Sequence, residues 1–249
     1  MQAPSTRERQ LALTAPPVVA RPRSAVSAVK TTDPARRPYL RFGRPLLRAL
    51  LLLCALPPAL VLALPIALVN CIQFRSVRRI LFRQERVGLG GRVFWILKFR
   101  TMRESRASSF DSWGGELDRL RVTPFGRFLR NTHLDELPQL WNVLFGEMDF
   151  IGPRPEMVEI HGWACTNVPG FEERTALLPG MTGLAQVIQG YASRDAAQYR
   201  RKLALDRRYI ERVSLALDLE ILVRTALWMA RGRGWQQVPR RPAPHEAAS

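Results

Sequence analysis

Between Arg48 and Arg75 the chain has no charged residue, and the core of that stretch, Ala49 to Val69, is almost wholly apolar. As a helix, those 21 residues cover ~30 Å, the thickness of a bilayer's hydrocarbon. A charged leader of more than forty residues precedes the run, which argues against a secretory signal. Two features argue against a plain span. Pro57, Pro58 and Pro65 lie inside it, and an interior proline removes a backbone hydrogen bond and kinks a helix. Both flanks are also basic: Arg36, Arg37, Arg41, Arg44 and Arg48 before, then Arg75, Arg78, Arg79, Arg83 and Arg86 after. Arginine-rich flanks stay in the cytoplasm, and here both qualify. Three geometries are open. A re-entrant helix–break–helix that enters one leaflet and returns meets both constraints; a kinked single span and a buried soluble helix are the others. In the re-entrant form, a tight break or nearby polar groups must satisfy the freed carbonyls. Anionic lipid head groups would hold the flanking arginines at ~1 kcal/mol each.

The net charge of +17 invites a nucleic-acid reading, but its distribution opposes it. Residues 1–48 hold ten basic and two acidic residues, and residues 231–249 hold four and one. The middle keeps 24 basic against 18 acidic, a balance of only +6. Residues 1–40 lack an apolar period and are expected to form a disordered basic leader, and residues 231–249 a disordered tail. That leaves 41–75 as the membrane element and 76–230 as the body. The three cysteines, Cys54, Cys71 and Cys165, form no C-x-x-C and are expected to be small buried hydrophobes rather than zinc ligands or a disulfide.

In the body, Ile80–Val87 and Arg92–Thr101 are two extended stretches joined by Gly88-Leu89-Gly90-Gly91, a hairpin pattern. No G-K-[ST] follows the glycines, so they mark a turn and not a phosphate loop. Strand alternation puts Phe94, Ile96, Lys98 and Arg100 on one face, so Lys98 and Arg100 should project together. Residues 104–120 are polar and loop-like. Pro138 belongs in the first turn of a helix carrying an apolar stripe of Leu137, Leu140, Trp141 and Leu144. Asp135 and Glu136 would then lie at a helix N-terminus, where negative charge is favoured and phosphate binds; an ordinary N-cap pair is the bland alternative. Arg154, fixed between Pro153 and Pro155, suits a bidentate phosphate clamp or a plain turn. His133 has no hydrolase context and is taken as local structure. The glycine-rich Pro179-Gly180-Met181-Thr182-Gly183-Leu184 permits close backbone approach, to a ligand or to the protein itself. Tyr209–Ala230 is an amphipathic stretch with Glu220 and Arg224 at i,i+4; its apolar residues, Leu217, Ile221 and Trp228 among them, either pack on the body or lie in the membrane interface.

Taken in order, FRQERVG (82–88), KFRTM (98–102), LDELPQLWNVLFGEM (134–148), IGPRPE (151–156), PGMTGLAQV (179–187) and DLEILVRT (218–225) resemble the bacterial sugar transferase family, the monotopic polyprenyl-phosphate phosphoglycosyl transferases. The resemblance covers residues 45 to 233 and matches the short form of the family. It implies an α+β fold, mostly helical with a small β-hairpin, at the cytoplasmic face of the bacterial inner membrane behind a proline-broken re-entrant helix. It implies transfer of a sugar-1-phosphate from a UDP-sugar to undecaprenyl phosphate, with release of UMP, as the initiating step of surface polysaccharide or glycoconjugate synthesis. By motif, Asp135 is the nucleophile and Glu136 its acidic partner, either a Mg²⁺ ligand with Asp135 or a base. Lys98, Arg100, Arg154, Thr182 and Gly183 are expected at the substrate phosphates. A carboxylate nucleophile would split one hard displacement into two through an aspartyl phosphosugar, and Mg²⁺ would neutralise the anionic reactants. Two departures stand out. The usual Ser-Pro-Gly-Pro appears as Ser76-Val77-Arg78-Arg79, and the break, commonly Ser-Pro, must fall at Pro57-Pro58 or Leu64-Pro65.

Two other classes are weighed against this one. A membrane-tethered basic protein binding nucleic acid or anionic lipid would cluster charge and stacking aromatics on one face. The near-balanced body and the acidic pair speak against it, and no nucleic-acid partner is expected. An inactive scaffold would not be expected to keep Lys98, Asp135, Glu136 and Arg154.

Overall fold

The computed structural model describes residues 38–104, 121–190 and 192–230. The predicted disordered leader (apart from its last residues), the polar loop and the tail fall almost wholly outside that range. Tyr39 and Leu40, assigned to the leader, instead belong to a π-helical turn, Tyr39–Gly43.

Helix α1, Arg44–Phe74, is the apolar run. It is assigned as one helix through Pro57, Pro58 and Pro65, so the expected break does not appear as an interruption. Leu52, Ala59 and Ile66, seven residues apart, are buried together with Arg44 and Asn70 along one side. The other faces carry Leu46, Leu53, Val61, Leu64, Leu68 and Ile72, all exposed. A stripe at heptad spacing on an otherwise apolar helix is what packing one face on protein and leaving the rest to lipid requires. Both helix ends are tied to the same body. Arg44 donates to the Ile151 carbonyl at 2.5 Å and pairs with Asp149 at 3.2 Å. Asn70 Nδ2 donates to the carbonyls of Ile80 and Arg100 at 3.1 and 3.0 Å.

After a 3₁₀ turn at Val77–Arg79, strands β1 (Leu81–Val87) and β2 (Val93–Phe99) pair antiparallel, Leu81 opposite Phe99 and Val87 opposite Val93. This is the predicted hairpin, turned through Gly90 and Gly91, both at positive φ. Helices α2 (Pro124–Thr132) and α3 (Gln139–Leu144) follow. A second sheet, not anticipated from sequence, pairs β3 (Asp149–Ile151) with β4 (Gly180–Thr182) in parallel. Helix α4 (Val158–Asn167) lies between those strands in sequence; α5 (Leu184–Gln189), α6 (Ala196–Arg212) and α7 (Leu215–Ala230) complete the body. The single amphipathic stretch expected over 209–230 is thus two helices parted at Val213-Ser214. In α7 Ile221 and Asp218 are buried, and Leu215, Leu219, Val223 and Leu227 are exposed. The cysteines also differ from expectation: Cys54 is exposed and Cys71 and Cys165 are half-buried, all three as free thiols.

The hairpin and α3 are locked by Asn142. Its side chain accepts from Leu97 N–H at 3.1 Å and donates to the Trp95 carbonyl at 2.8 Å, supplying the open edge of β2 with the partner a third strand would give. Phe94, Ile96, Leu140, Val143 and Met148 pack there against Leu52 and Ala59 of α1. Asn142→Ala leaves a part-buried donor and acceptor of β2 unpaired, so its unfolding midpoint should drop by an amount equivalent to about 1–2 kcal/mol. Phe145→Ala, just past the same helix and 73% exposed, should change the midpoint by no more than about 0.5 kcal/mol. Denaturation in detergent followed by tryptophan fluorescence measures both.

Candidate active site

Asp135 and Glu136 sit in a 3₁₀ turn, Leu134–Glu136, and not at the start of a longer helix. His133, left-handed at φ 58°, ends α2 and bends the chain into that turn, and Pro138 caps the six-residue α3 beyond it. The expected apolar stripe divides accordingly: Leu140 is buried, whereas Trp141 and Leu144 are exposed. The His133 ring lies 5.2 Å from that of Trp228 in α7.

The turn presents its two carboxylates in opposite environments. Glu136 is gripped: Lys98 Nζ donates to Oε1 at 2.6 Å, and Arg154 donates to Oε2 at 3.3 Å and, through Nη2, to Oε1. Burial alone would raise its pKa, but the two cations overwhelm that and hold it far below the ordinary carboxylate range. Asp135 is buried yet accepts no hydrogen bond from the described residues. Burial pushes its pKa up to about 6, with Glu136 adding to the rise and Lys98 and Arg130 opposing it. Lys98, buried at the end of β2, is lowered by desolvation despite its bond to Glu136.

Arg154 is mounted from both sides. Its Nη1 donates to the Met181 carbonyl at 2.8 Å, and its own carbonyl accepts from Arg174 Nη2 at 2.6 Å. The glycines of the 179–184 stretch serve this mount. A Cβ on Gly180 or Gly183 would collide with the backbone of Gly152, and one on Gly152 with the Leu178 carbonyl. Their close approach in the structure is to the loop that bears Arg154, and the Thr182 hydroxyl is 2.8 Å from that of Thr225. Thr182 and Gly183 thus sit behind the expected phosphate site and support it. Arg100 departs further. β2 ends at Phe99, and the Arg100 guanidinium turns to the Arg79 carbonyl at 3.1 Å and to Glu104 at 3.7 Å. It does not join Lys98.

Sequence reasoning missed the buried layer beneath Arg154. Arg174 bonds Asp206 at 2.9 Å, Lys202 donates to Glu156, and Arg86 donates to the Pro155 carbonyl at 3.1 Å. Burial pushes the Arg86 pKa down to about 10 while Glu156 pulls the other way. Arg86 and Glu156 lie within the FRQERVG and IGPRPE segments, so those motifs carried a signal. Nothing in sequence paired Arg174 with Asp206.

The sequence profile of the family described as Bacterial sugar transferase matches residues 42–232. The chain belongs to that family. Among its relatives in it are the UDP-glucose:undecaprenyl-phosphate glucose-1-phosphate transferase of Caulobacter vibrioides, 43% identical over 147 residues, 58% of this chain and 54% of the relative. The UDP-N-acetylgalactosamine-undecaprenyl-phosphate N-acetylgalactosaminephosphotransferase of Aeromonas hydrophila is 39% identical over 62% of this chain and 36% of its own length. The exopolysaccharide production protein ExoY of Sinorhizobium fredii is 34% identical over 74% of this chain and 83% of the relative. The chain thus spans between a third and about half of the length of the first two transferases.

The two carboxylates of this sugar transferase should respond oppositely to substitution. A protonated Asp135 favours the fold below about pH 3.8, and that contribution is lost as pH rises through about 6. Asp135→Asn should therefore raise the unfolding midpoint at pH 7.5, by the equivalent of about 1–3 kcal/mol, and the gain should disappear near pH 4. Glu136→Gln strands Lys98 and Arg154 and should cost about 3 kcal/mol or more. Thermal unfolding of both variants across pH 4–8 decides the matter.

Proposed function

We propose that this sugar transferase moves a sugar-1-phosphate from a UDP-sugar to undecaprenyl phosphate, releasing UMP, and so initiates a surface polysaccharide. One observation carries the reading: a buried carboxylate without a hydrogen-bond partner among the described residues, Asp135, beside a carboxylate already committed to two cations. At neutral pH Asp135 is ionised and poorly solvated, the condition of a competent nucleophile. An Asp135 oxygen bonds to the sugar-bearing phosphorus as the bond from that phosphorus to the UMP oxygen breaks, and UMP leaves. The acceptor's phosphate oxygen then attacks the same phosphorus and returns the Asp135 carboxylate. Lys98 and Arg154, held together by Glu136, supply positive charge beside the phosphates. Glu136, so strongly acidic, is a poor base, and its role is to fix the two cations.

Mg²⁺ suits this donor set in a limited way. No cluster of three or more His, Cys, Asp or Glu residues exists among the described residues, and Glu136 is occupied. Asp135 would then be the residue that holds the ion. When bound, the ion would offset charge on the diphosphate.

The membrane arrangement belongs to the same proposal. Both ends of α1 bond to the body that holds the site, and its buried stripe touches that body along the helix. This favours a monotopic segment, residues 41–75, that keeps residues 76–230 at the cytoplasmic face, where a soluble donor and a lipid acceptor meet. In a background freed of Cys54, Cys71 and Cys165, Leu40→Cys and Ser76→Cys should both resist an impermeant thiol reagent added outside cells. Labelling of only one would establish a span.

The enzymatic test uses membranes given Mg²⁺, undecaprenyl phosphate and a panel of UDP-sugars, with UMP as the readout. UMP should appear with one donor, fall by at least about a thousandfold in Asp135→Asn and vanish with EDTA. Wild-type turnover should decline as pH drops below about 6, following Asp135 protonation. UMP release that persists in Asp135→Asn removes that residue from the chemistry.

A further inference from the structure

A second cationic site lies just past the end of β2, beyond Phe99. Where α1 ends, Arg79, Arg100 and Arg103 line a cavity of about 420 Å³ together with Gln73, Phe74 and Arg75. Arg100 is pre-set there. Its Nε donates to the Arg79 carbonyl at 3.1 Å, and its guanidinium lies 5.9 and 6.0 Å from the ring centres of Phe74 and Phe82. The guanidinium groups of Arg75 and Arg103 pair with no described residue. Glu104, 61% exposed, is the carboxylate among the described residues that reaches into the cluster, bridging Arg79 at 3.3 Å and Arg100 at 3.7 Å. Among the described residues, four arginines share one exposed carboxylate, an excess of planar donors suited to phosphate oxygens.

What surrounds the cavity selects the kind of phosphate. The apolar helix α1 ends at it through Gln73 and Phe74, and Val77 and Phe82, both exposed, line an adjoining cavity that shares Arg100. An anion with an apolar tail fits both parts, and a free ion fits only the arginines.

We propose that this cavity seats the phosphate of a membrane lipid, with Arg79, Arg100 and Arg103 on the head group and an acyl chain over Val77 and Phe82. The seat is separate from the turn that bears Asp135: Lys98 and Arg100, two residues apart, face different partners. Arg100, expected at the substrate phosphates, is assigned here to a lipid's phosphate instead. Glu104 acts as an internal competitor that a lipid phosphate displaces.

Native mass spectrometry of the full chain tests this, with the protein released from micelles containing equal phosphatidylglycerol and phosphatidylcholine of matched chains. Wild type should retain one phosphatidylglycerol in preference to phosphatidylcholine. Arg79→Gln with Arg103→Gln should lower that retention by about tenfold or more, and Glu104→Gln should raise it. Asp135→Asn should leave it unchanged. Equal retention of the two lipids, or unchanged retention in the double variant, would overturn the proposal, as would loss in Asp135→Asn, which would merge this seat with the acidic turn. Displacement of the lipid by millimolar inorganic phosphate would overturn the lipid assignment, showing a seat for a free anion. The readout is independent of turnover, so it stands or falls apart from the transferase reading.

Discussion

The Glu136 carboxylate, held between Lys98 and Arg154, is the interaction on which the rest of this molecule depends. It joins three elements that sequence keeps far apart: the last residues of β2, the turn after α2 and the Gly152–Pro155 loop. Each of the three charges is mostly withdrawn from water, with side-chain exposures of 12–19%. Any one of them alone would face a desolvation cost of several kcal/mol. Together they are mutually neutralising to within a single charge, and that residual charge is positive. The elements that bring them together therefore serve the electrostatics as much as they serve the core.

The mount behind Arg154 shows how this is done with backbone. Gly152, Gly180 and Gly183 let β3 and β4 come so close that no side chain fits between their loops. That contact fixes the Met181 carbonyl where it can accept from Arg154. Arg174, itself neutralised by Asp206, holds the Arg154 carbonyl from beneath. α1 enters the same construction from the membrane side, because Arg44 bonds Ile151, the residue before Gly152. Asp218 of α7 adjoins this contact, accepting from Tyr39 and Tyr209 at 2.5 and 2.7 Å. The apolar helix is thus a structural member of the loop that carries Arg154 as well as a membrane element.

Much of this was legible in sequence where chemistry repeats at a short period or sits within one motif. The hairpin followed from alternation and a glycine turn, the apolar helix from a charge-free run, and Lys98, Asp135, Glu136 and Arg154 from the segments holding them. What was not legible depended on partners distant in the chain. Strand alternation grouped Arg100 with Lys98, but the strand stops at Phe99 when the Arg100 carbonyl is taken by Asn70 of α1. Glycines in the 179–184 stretch announced a close approach without naming what approaches, and it is Gly152. The three-residue strands β3 and β4 are too short for any periodicity to register. The helix expected to begin at Asp135 begins after Pro138, because His133 in the left-handed region turns the chain one step earlier.

That last displacement bears on how two adjacent carboxylates come to differ. At a helix N-terminus both would share the same favourable field and both would be stabilised as anions. In the 3₁₀ turn they diverge, Glu136 toward Lys98 and Arg154 and Asp135 into a buried position without a hydrogen-bond donor among the described residues. Environments that push neighbouring acids apart assign them separate tasks. The acid held as an anion under all ordinary conditions organises cations, and the acid raised toward neutrality is the one that the proposed reaction uses as its nucleophile. The destabilisation that Asp135 imposes is tolerable only because Glu136, one residue away, anchors the turn so firmly.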